Sequence, residues 1–149
     1  MKYIYFDMDG TLADYYAQKD WLEGLRKKEI TAFLLAKPLY NIWEFSCLLC
    51  TLQRKGYKIG IISWLPKNAS PEYAERVKQA KLHWLKENLL VYPDEIQIVP
   101  YGTNKKEVAG AQNGILFDDE EQNRKDWGAN AFSPTVMEEI LRQMARQNH

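Results

Sequence analysis

The sequence predicts an α/β fold: a three-layer sandwich in which helices cover both faces of a mainly parallel sheet. Three observations predict it. Strand-like and helix-like segments alternate along the chain, the pattern that parallel strands joined by crossover helices produce. The strand candidates are short and apolar, as in Ile59-Gly60-Ile61-Ile62 and Ile115-Leu116-Phe117. The chain has 149 residues, 46% of them apolar, which is material for one compact domain with a substantial core. A single domain over 1–149 is therefore expected, without internal repeats or linkers.

Tyr3 to Phe6 is the first strand. Residues 14–37 are mixed in character and read as helical up to Pro38, which punctuates the chain. A periodic segment then carries Ile42, Phe45, Leu49 and Leu52 on one helical face and stops near Gly56, a residue suited to a C-terminal cap. Lys58 to Ile62 follows as a buried strand. After the turn at Leu65-Pro66, Ser70 is placed to cap a helix with Pro71 at its first position. Its apolar face is Tyr73, Val77, Ala80 and Trp84, and it runs to about Asn88. Glu95 to Val99 is a short strand, and Asn104 opens a brief helix with Glu107 as capping-box partner. Ile115 to Phe117 is the next strand, followed by a helix to about Gly128 and a last strand, Asn130 to Phe132. Ser133-Pro134 opens a final helix with Met137, Ile140, Leu141 and Met144 inward.

Composition narrows the classes without excluding a nucleic-acid end as substrate. The 20 basic and 20 acidic side chains cancel, so no chain-wide charge draws the protein to a polyanion, and nucleic acid is unsupported as a partner. No run approaches the roughly 20 apolar residues that cross a bilayer, and the first residues enter a strand rather than a signal-peptide pattern. The expectation is a cytoplasmic protein without a membrane partner. Cys47 and Cys50 have C-x-x-C spacing, but they lie in the apolar stretch Phe45 to Cys50, which reads as buried helix with both thiols as small core groups. Only His83 and His149 are available to complete a Cys/His zinc site, which is too few.

Chemistry concentrates at strand ends. In Phe6-Asp7-Met8-Asp9-Gly10-Thr11, two carboxylates follow an apolar strand directly, and open parallel sheets gather ligands beyond the carboxyl ends of their strands. Asp118-Asp119 likewise follows Ile115 to Phe117. A helix starting there accounts for Glu120 and Glu121 through its dipole, whereas adjacent aspartates repel unless a cation or donor offsets them. Asp7, Asp9 and Asp119 offer hard oxygen donors with no matching His or Cys set, which is the donor chemistry of Mg²⁺. Two features suit an anion. Ser63 ends its strand with a hydroxyl, and Lys105-Lys106 stands near a helix amino terminus, where a lysine opposes the dipole and a bound phosphate would make the placement favourable, the alternative for one of the two being a solvated surface lysine.

The ordered set D-M-D-G-T at 7–11, Ser63, a lysine at 105 and Asp118-Asp119, each beside an apolar strand or at a helix start, resembles the haloacid dehalogenase superfamily over nearly the whole chain. The resemblance implies a Rossmann-like domain with at most a small helical cap, at about 13–40, and phosphoryl transfer through an aspartyl-phosphate with Mg²⁺ as cofactor. By the same resemblance Asp7 is the nucleophile and a metal ligand. Asp9 is the general acid/base, and its carbonyl binds the metal. Thr11 steadies the loop and, with Ser63 and Lys105, belongs to the phosphate-binding set. Gly102-Thr103-Asn104-Lys105 matches the family's spacing better than a register using Lys106. Asp119 is the direct metal ligand, with Asp118 sharing the role or standing behind it, and Asn123 occupies a position where many members carry an acid.

An aspartate at position 9 favours phosphoester hydrolysis over dehalogenation, because an alkoxide leaving group needs a proton source. The expected activity is phosphomonoester hydrolysis on a small phosphorylated substrate. The opening D-M-D-G-T-L-A-D is similar to that of 5′(3′)-deoxyribonucleotidases. A nucleotide monophosphate therefore leads, with Tyr15 and Trp64 as candidate substrate contacts and Trp64 placed to stack on a base. Polynucleotide 3′-phosphatases have a similar opening, and an open site also admits a phosphoprotein. The alternative from another class is a catalytically idle scaffold that binds a phosphorylated ligand.

Overall fold

A computed structural model describes residues 2–147. Among them, five strands form one all-parallel sheet: β1 (Lys2–Phe6), β2 (Tyr57–Trp64), β3 (Glu95–Val99), β4 (Ile115–Phe117) and β5 (Ala131–Phe132), in the spatial order β3-β2-β1-β4-β5. Seven α-helices accompany them, six in the connections and one after β5: α1 (Trp21–Arg26), α2 (Thr31–Leu35), α3 (Ile42–Arg54), α4 (Pro71–Asn88), α5 (Lys105–Val108), α6 (Glu121–Trp127) and α7 (Met137–Arg146). The result is a Rossmann-like three-layer α/β sandwich.

The period of two along each strand sorts the core into faces. Ile4, Phe6, Ile59, Ile61 and Phe117 point one way, against Phe45, Leu49 and Leu52 of α3, Trp84 and Leu85 of α4, and Met137, Leu141 and Met144 of α7. Tyr5, Ile62 and Leu116 point the other way, with Trp127 of α6 and Ala109. Each large side chain buried in this way contributes about 1.5–3 kcal/mol. Tyr5 crosses its face over the small residues on either side. A Cβ on Gly60 would run into its ring, and one on Gly114 would press on it, while its hydroxyl donates to Glu95 Oε1 (3.1 Å) and accepts from Ala111 N (2.9 Å).

The helix starts follow their caps. Asn41, Ser70 and Asn104 each accept a backbone N–H of the first turn, and Pro71 sits at the opening of α4. A side-chain bond from Glu107 back to Asn104 is not formed, so the reciprocal half of the expected capping box is missing. Ser133 caps a 3₁₀ turn, 134–136, which leads into α7.

Three expectations change. Residues 14–37 form a 3₁₀ turn at 15–17 and two short helices rather than one continuous helical stretch. Asp20 and Lys28 take left-handed backbone conformations (φ 60° and 59°) and interrupt it on either side of α1. Strand β2 runs on to Trp64, so Ser63 lies inside it rather than at its end. Cys47 is exposed and Cys50 only half-buried, because two residues past Phe45 the helix has turned roughly 200° away from the core-facing stripe. No helix among the described residues is long and apolar enough to cross a membrane.

Candidate active site

The strand order locates the site. The chain builds β1, β2 and β3 toward one edge, then crosses back to lay β4 and β5 on the other side of β1. The carboxyl ends of β1 and β4 therefore border the switch point, where a crevice opens. Asp7 leaves β1 there and Asp118-Asp119 leaves β4. Asp7 N still donates to Phe117 O (2.9 Å), so ladder pairing carries the nucleophile candidate right up to the second acid pair.

A tight loop follows Asp7. Met8 O accepts from the backbone N–H groups of Thr11, Leu12 and Ala13, and Gly10 N donates to Ala13 O (2.8 Å). Gly10 has φ 83°, and a Cβ on it would overlap the Asp119 carboxyl, so both backbone and space require glycine. Thr11 joins the two acidic loops. Its hydroxyl donates to Asp7 Oδ2 and accepts from Asp119 N, each at 3.2 Å.

Lys105 reaches into the centre, with Nζ 2.8 Å from Asp7 Oδ1 and 2.7 Å from Asp118 Oδ2. Asp118 is completely buried, and Asn123 Nδ2 and Glu120 N also donate to its carboxylate. Lys106 points elsewhere, donating to Trp127 O (2.8 Å), so of the two adjacent lysines only Lys105 belongs to the centre. A second buried cation escaped the sequence reading. Lys81, in the middle of α4, donates to Asp9 Oδ2 (2.9 Å), Ser63 Oγ (2.7 Å) and Trp64 O (2.8 Å). Its signal was a lysine on an apolar stripe, four residues after Val77 and three before Trp84.

The electrostatics follow from these contacts. Burial works against the Asp7 carboxylate, but Lys105 and a proton shared with Asp119 outweigh it and hold Asp7 below the ordinary carboxylate range. Burial raises Asp9 despite Lys81. Asp118 is pushed up to about 6 and Asp119 to about 8, by burial first and then by the neighbouring acids. Burial likewise opposes the Lys105 ammonium, yet Asp7 and Asp118 more than compensate and keep it charged.

Four carboxylates thus face two ammonium groups, a formal surplus of two negative charges. Carboxylate oxygens of Asp7, Asp118 and Asp119 lie within 4.8 Å of one another. This all-oxygen set, with its surplus and its displaced proton affinities, fits a hard divalent cation. Asp119 has the freer carboxylate, since Asp118 is taken up by Lys105, Asn123 and Glu120 N. The Asp9 carboxylate is not in the group, being turned to Lys81.

Above the acids lies a cleft of about 300 Å³. Tyr15, Tyr16, Trp21 and Phe33 line one side; Trp64, Tyr101 and Lys67 line the other. Trp64 is pinned by its Nε1 bond to Thr103 O (2.8 Å) and lies 4.9 Å from the Tyr101 ring. Tyr15 stacks on Phe33 and is nearly buried, so Tyr16 presents the larger face of that wall. The segment carrying these rings packs on Tyr73, Val77 and Ala80 in the first half of α4. Ser63 and Thr11, expected among the phosphate contacts, do not line the cleft. Each is 1% exposed, Ser63 behind Asp9 on Lys81 and Thr11 clamped between the acidic loops. No protein-family model matches the chain, and no curated protein matches it. The site itself defines the class: an α/β protein with a carboxylate and lysine centre at the switch point of its sheet.

Proposed function

We propose that the protein is a Mg²⁺-dependent phosphomonoester hydrolase of the haloacid dehalogenase type, acting through an aspartyl-phosphate on Asp7. The observation that carries this reading is the placement of Asp7: a carboxylate 2.8 Å from the Lys105 ammonium at the floor of a cleft, with a second aspartate, Asp9, two residues away. An ionised carboxylate is a nucleophile, and a carboxyl with raised proton affinity is a proton donor.

In the first half-reaction an Asp7 oxygen attacks phosphorus, the phosphorus–oxygen ester bond breaks, and the departing alkoxide takes the proton from Asp9. In the second, water attacks the phosphorus of the aspartyl-phosphate and gives its proton to Asp9, inorganic phosphate leaves, and the Asp7 carboxylate is restored. Lys105 offsets charge on Asp7 throughout. Asp7 and Asp119, with Asp118 behind them, would hold Mg²⁺, which supplies neutralisation of the phosphoryl oxygens. The aromatic walls favour a substrate with a planar body, and a nucleoside monophosphate meets both requirements, its base between the rings and its phosphate on the acids.

Phosphate release from nucleoside 5′- and 3′-monophosphates, sugar phosphates and an aryl phosphate, with Mg²⁺ and with chelator, tests the reading. Mg²⁺-dependent turnover is expected, and Asp7→Asn should lose roughly 10⁴-fold or more while keeping its thermal unfolding profile. Full activity in Asp7→Asn would overturn the nucleophile assignment. Silence on the whole panel would favour a phospho-ligand binding scaffold.

A further inference from the structure

Lys81 has no part in these two half-reactions, although it is the most deeply buried cation among the described residues, 1% exposed. The helix that carries it does not need a charge there. Tyr73, Val77, Ala80 and Trp84 share its buried face, and the Phe33 ring lies 5.4 Å from the ammonium. A buried ion pair is often no more stabilising than well-packed apolar side chains of the same volume. Packing alone therefore gives no reason for a lysine at this position.

Its hydrogen bonds do. An ammonium has three N–H donors and no lone pair, and each donor has one partner: Asp9 Oδ2, Ser63 Oγ and Trp64 O. The Trp64 carbonyl belongs to β2, so the ammonium is anchored to the sheet rather than carried loosely on its stem. The Ser63 hydroxyl accepts from Lys81 and, buried beneath the cleft, helps hold the ammonium in place. The Asp9 carboxylate is held by Oδ2, which leaves Oδ1 as the oxygen that can carry and return a proton.

We infer that Lys81 is a positioning residue, which fixes Asp9 with Oδ1 toward the leaving group. The inference rests on the phosphoryl-transfer reading and deepens it. Lys81 does not line the cleft and acts through the Asp9 carboxyl that it orients, whereas Lys105 acts on charge.

The experiment compares an alkyl phosphate, whose leaving group needs a proton, with 4-nitrophenyl phosphate, whose leaving group does not, in wild type, Lys81→Met and Lys81→Gln. For the alkyl phosphate kcat should fall about 100-fold in Lys81→Met, the scale of general-acid catalysis. For the aryl phosphate it should fall less than about tenfold, with KM and the Mg²⁺ requirement little changed. In an Asp9→Asn background the same substitution should cost less than about twofold more on the alkyl phosphate, because residues acting as a unit are not additive. Lys81→Gln, which keeps donors without the charge, should recover part of the alkyl activity and serves as the folded comparison if Lys81→Met melts below the assay temperature. Equal losses on both substrates, or full additivity with Asp9→Asn, would overturn the Lys81 assignment and leave the phosphatase reading standing. A wild-type protein silent on both substrates would overturn both.

Discussion

Lys105 and Lys81 are both buried ammonium groups holding carboxylates of one acidic centre, yet they meet different company. Lys105 stands between two carboxylates, Asp7 and Asp118, at 2.8 and 2.7 Å. Lys81 meets one carboxylate, a hydroxyl and a main-chain carbonyl, with an aromatic ring beside it. A cation between two anions chiefly neutralises. A cation among one anion and two neutral acceptors chiefly fixes directions. The same residue type therefore does two jobs in one site, distinguished by what accepts its protons.

The comparison predicts unequal damage. Lys105→Met leaves two buried carboxylates without their cation, so stability should fall by about 3–5 kcal/mol and turnover by roughly a thousandfold, read by denaturant unfolding and phosphate release. Lys81→Met leaves a single carboxyl, which can take up a proton and stay neutral. A smaller stability loss for Lys105→Met than for Lys81→Met would break the distinction.

Gly10→Ala tests the acidic loops without touching either lysine. The left-handed backbone alone should cost about 1–2 kcal/mol, and the Asp119 carboxyl must move aside. Mg²⁺ affinity measured by calorimetry should weaken about tenfold, in line with disturbing the surroundings of a metal ligand; an unchanged affinity would remove Asp119 from the metal set.

Proton linkage sharpens the neutralisation side. Asp118 and Asp119, raised from 3.8 to about 6 and about 8, bind protons more tightly folded than unfolded. Their contribution is full below the ordinary carboxylate range and is lost as pH rises through these values. In chelator the melting temperature should therefore fall between pH 5 and about 8, and Mg²⁺ should flatten the fall by replacing the protons. Asp7, shifted down, acts in the opposite sense, but only at more acidic pH. Melting curves in chelator that are level or rising over that interval would contradict the cluster. The smallest effect belongs to Lys106→Ala, which loses one bond to Trp127 O. It should cost about 1 kcal/mol or less and leave turnover unchanged.

The sequence made most of this centre legible because Asp7, Asp9, Asp118 and Asp119 stand directly after short apolar strands, a local signal. Lys105 was legible as a lysine at a helix start, where it opposes the dipole and an anion makes it favourable. Lys81 was hidden by the opposite circumstance. It lies in a long helix whose apolar period reads well through it, and its partners are 17 to 72 residues away in sequence. The sheet was legible for the same reason as the acids, since each strand is a compact apolar run. The 14–37 region was not, because Asp20 and Lys28 take left-handed conformations without the glycine that usually announces them. The burial of Ser63 and Thr11 depended on neighbours that no local pattern names.

The middle strand of the sheet is the first one made. During synthesis β1 can pair with β2 once the chain has passed Trp64, but its other edge stays open until Ile115–Phe117 emerges. Lys81 becomes available to Asp9 before Lys105, 98 residues after Asp7, has been added. At ordinary elongation rates the interval lasts a few seconds. The nascent chain thus gains its orienting cation first and its neutralising cation second, and the full set of acids comes together only when both are already in place.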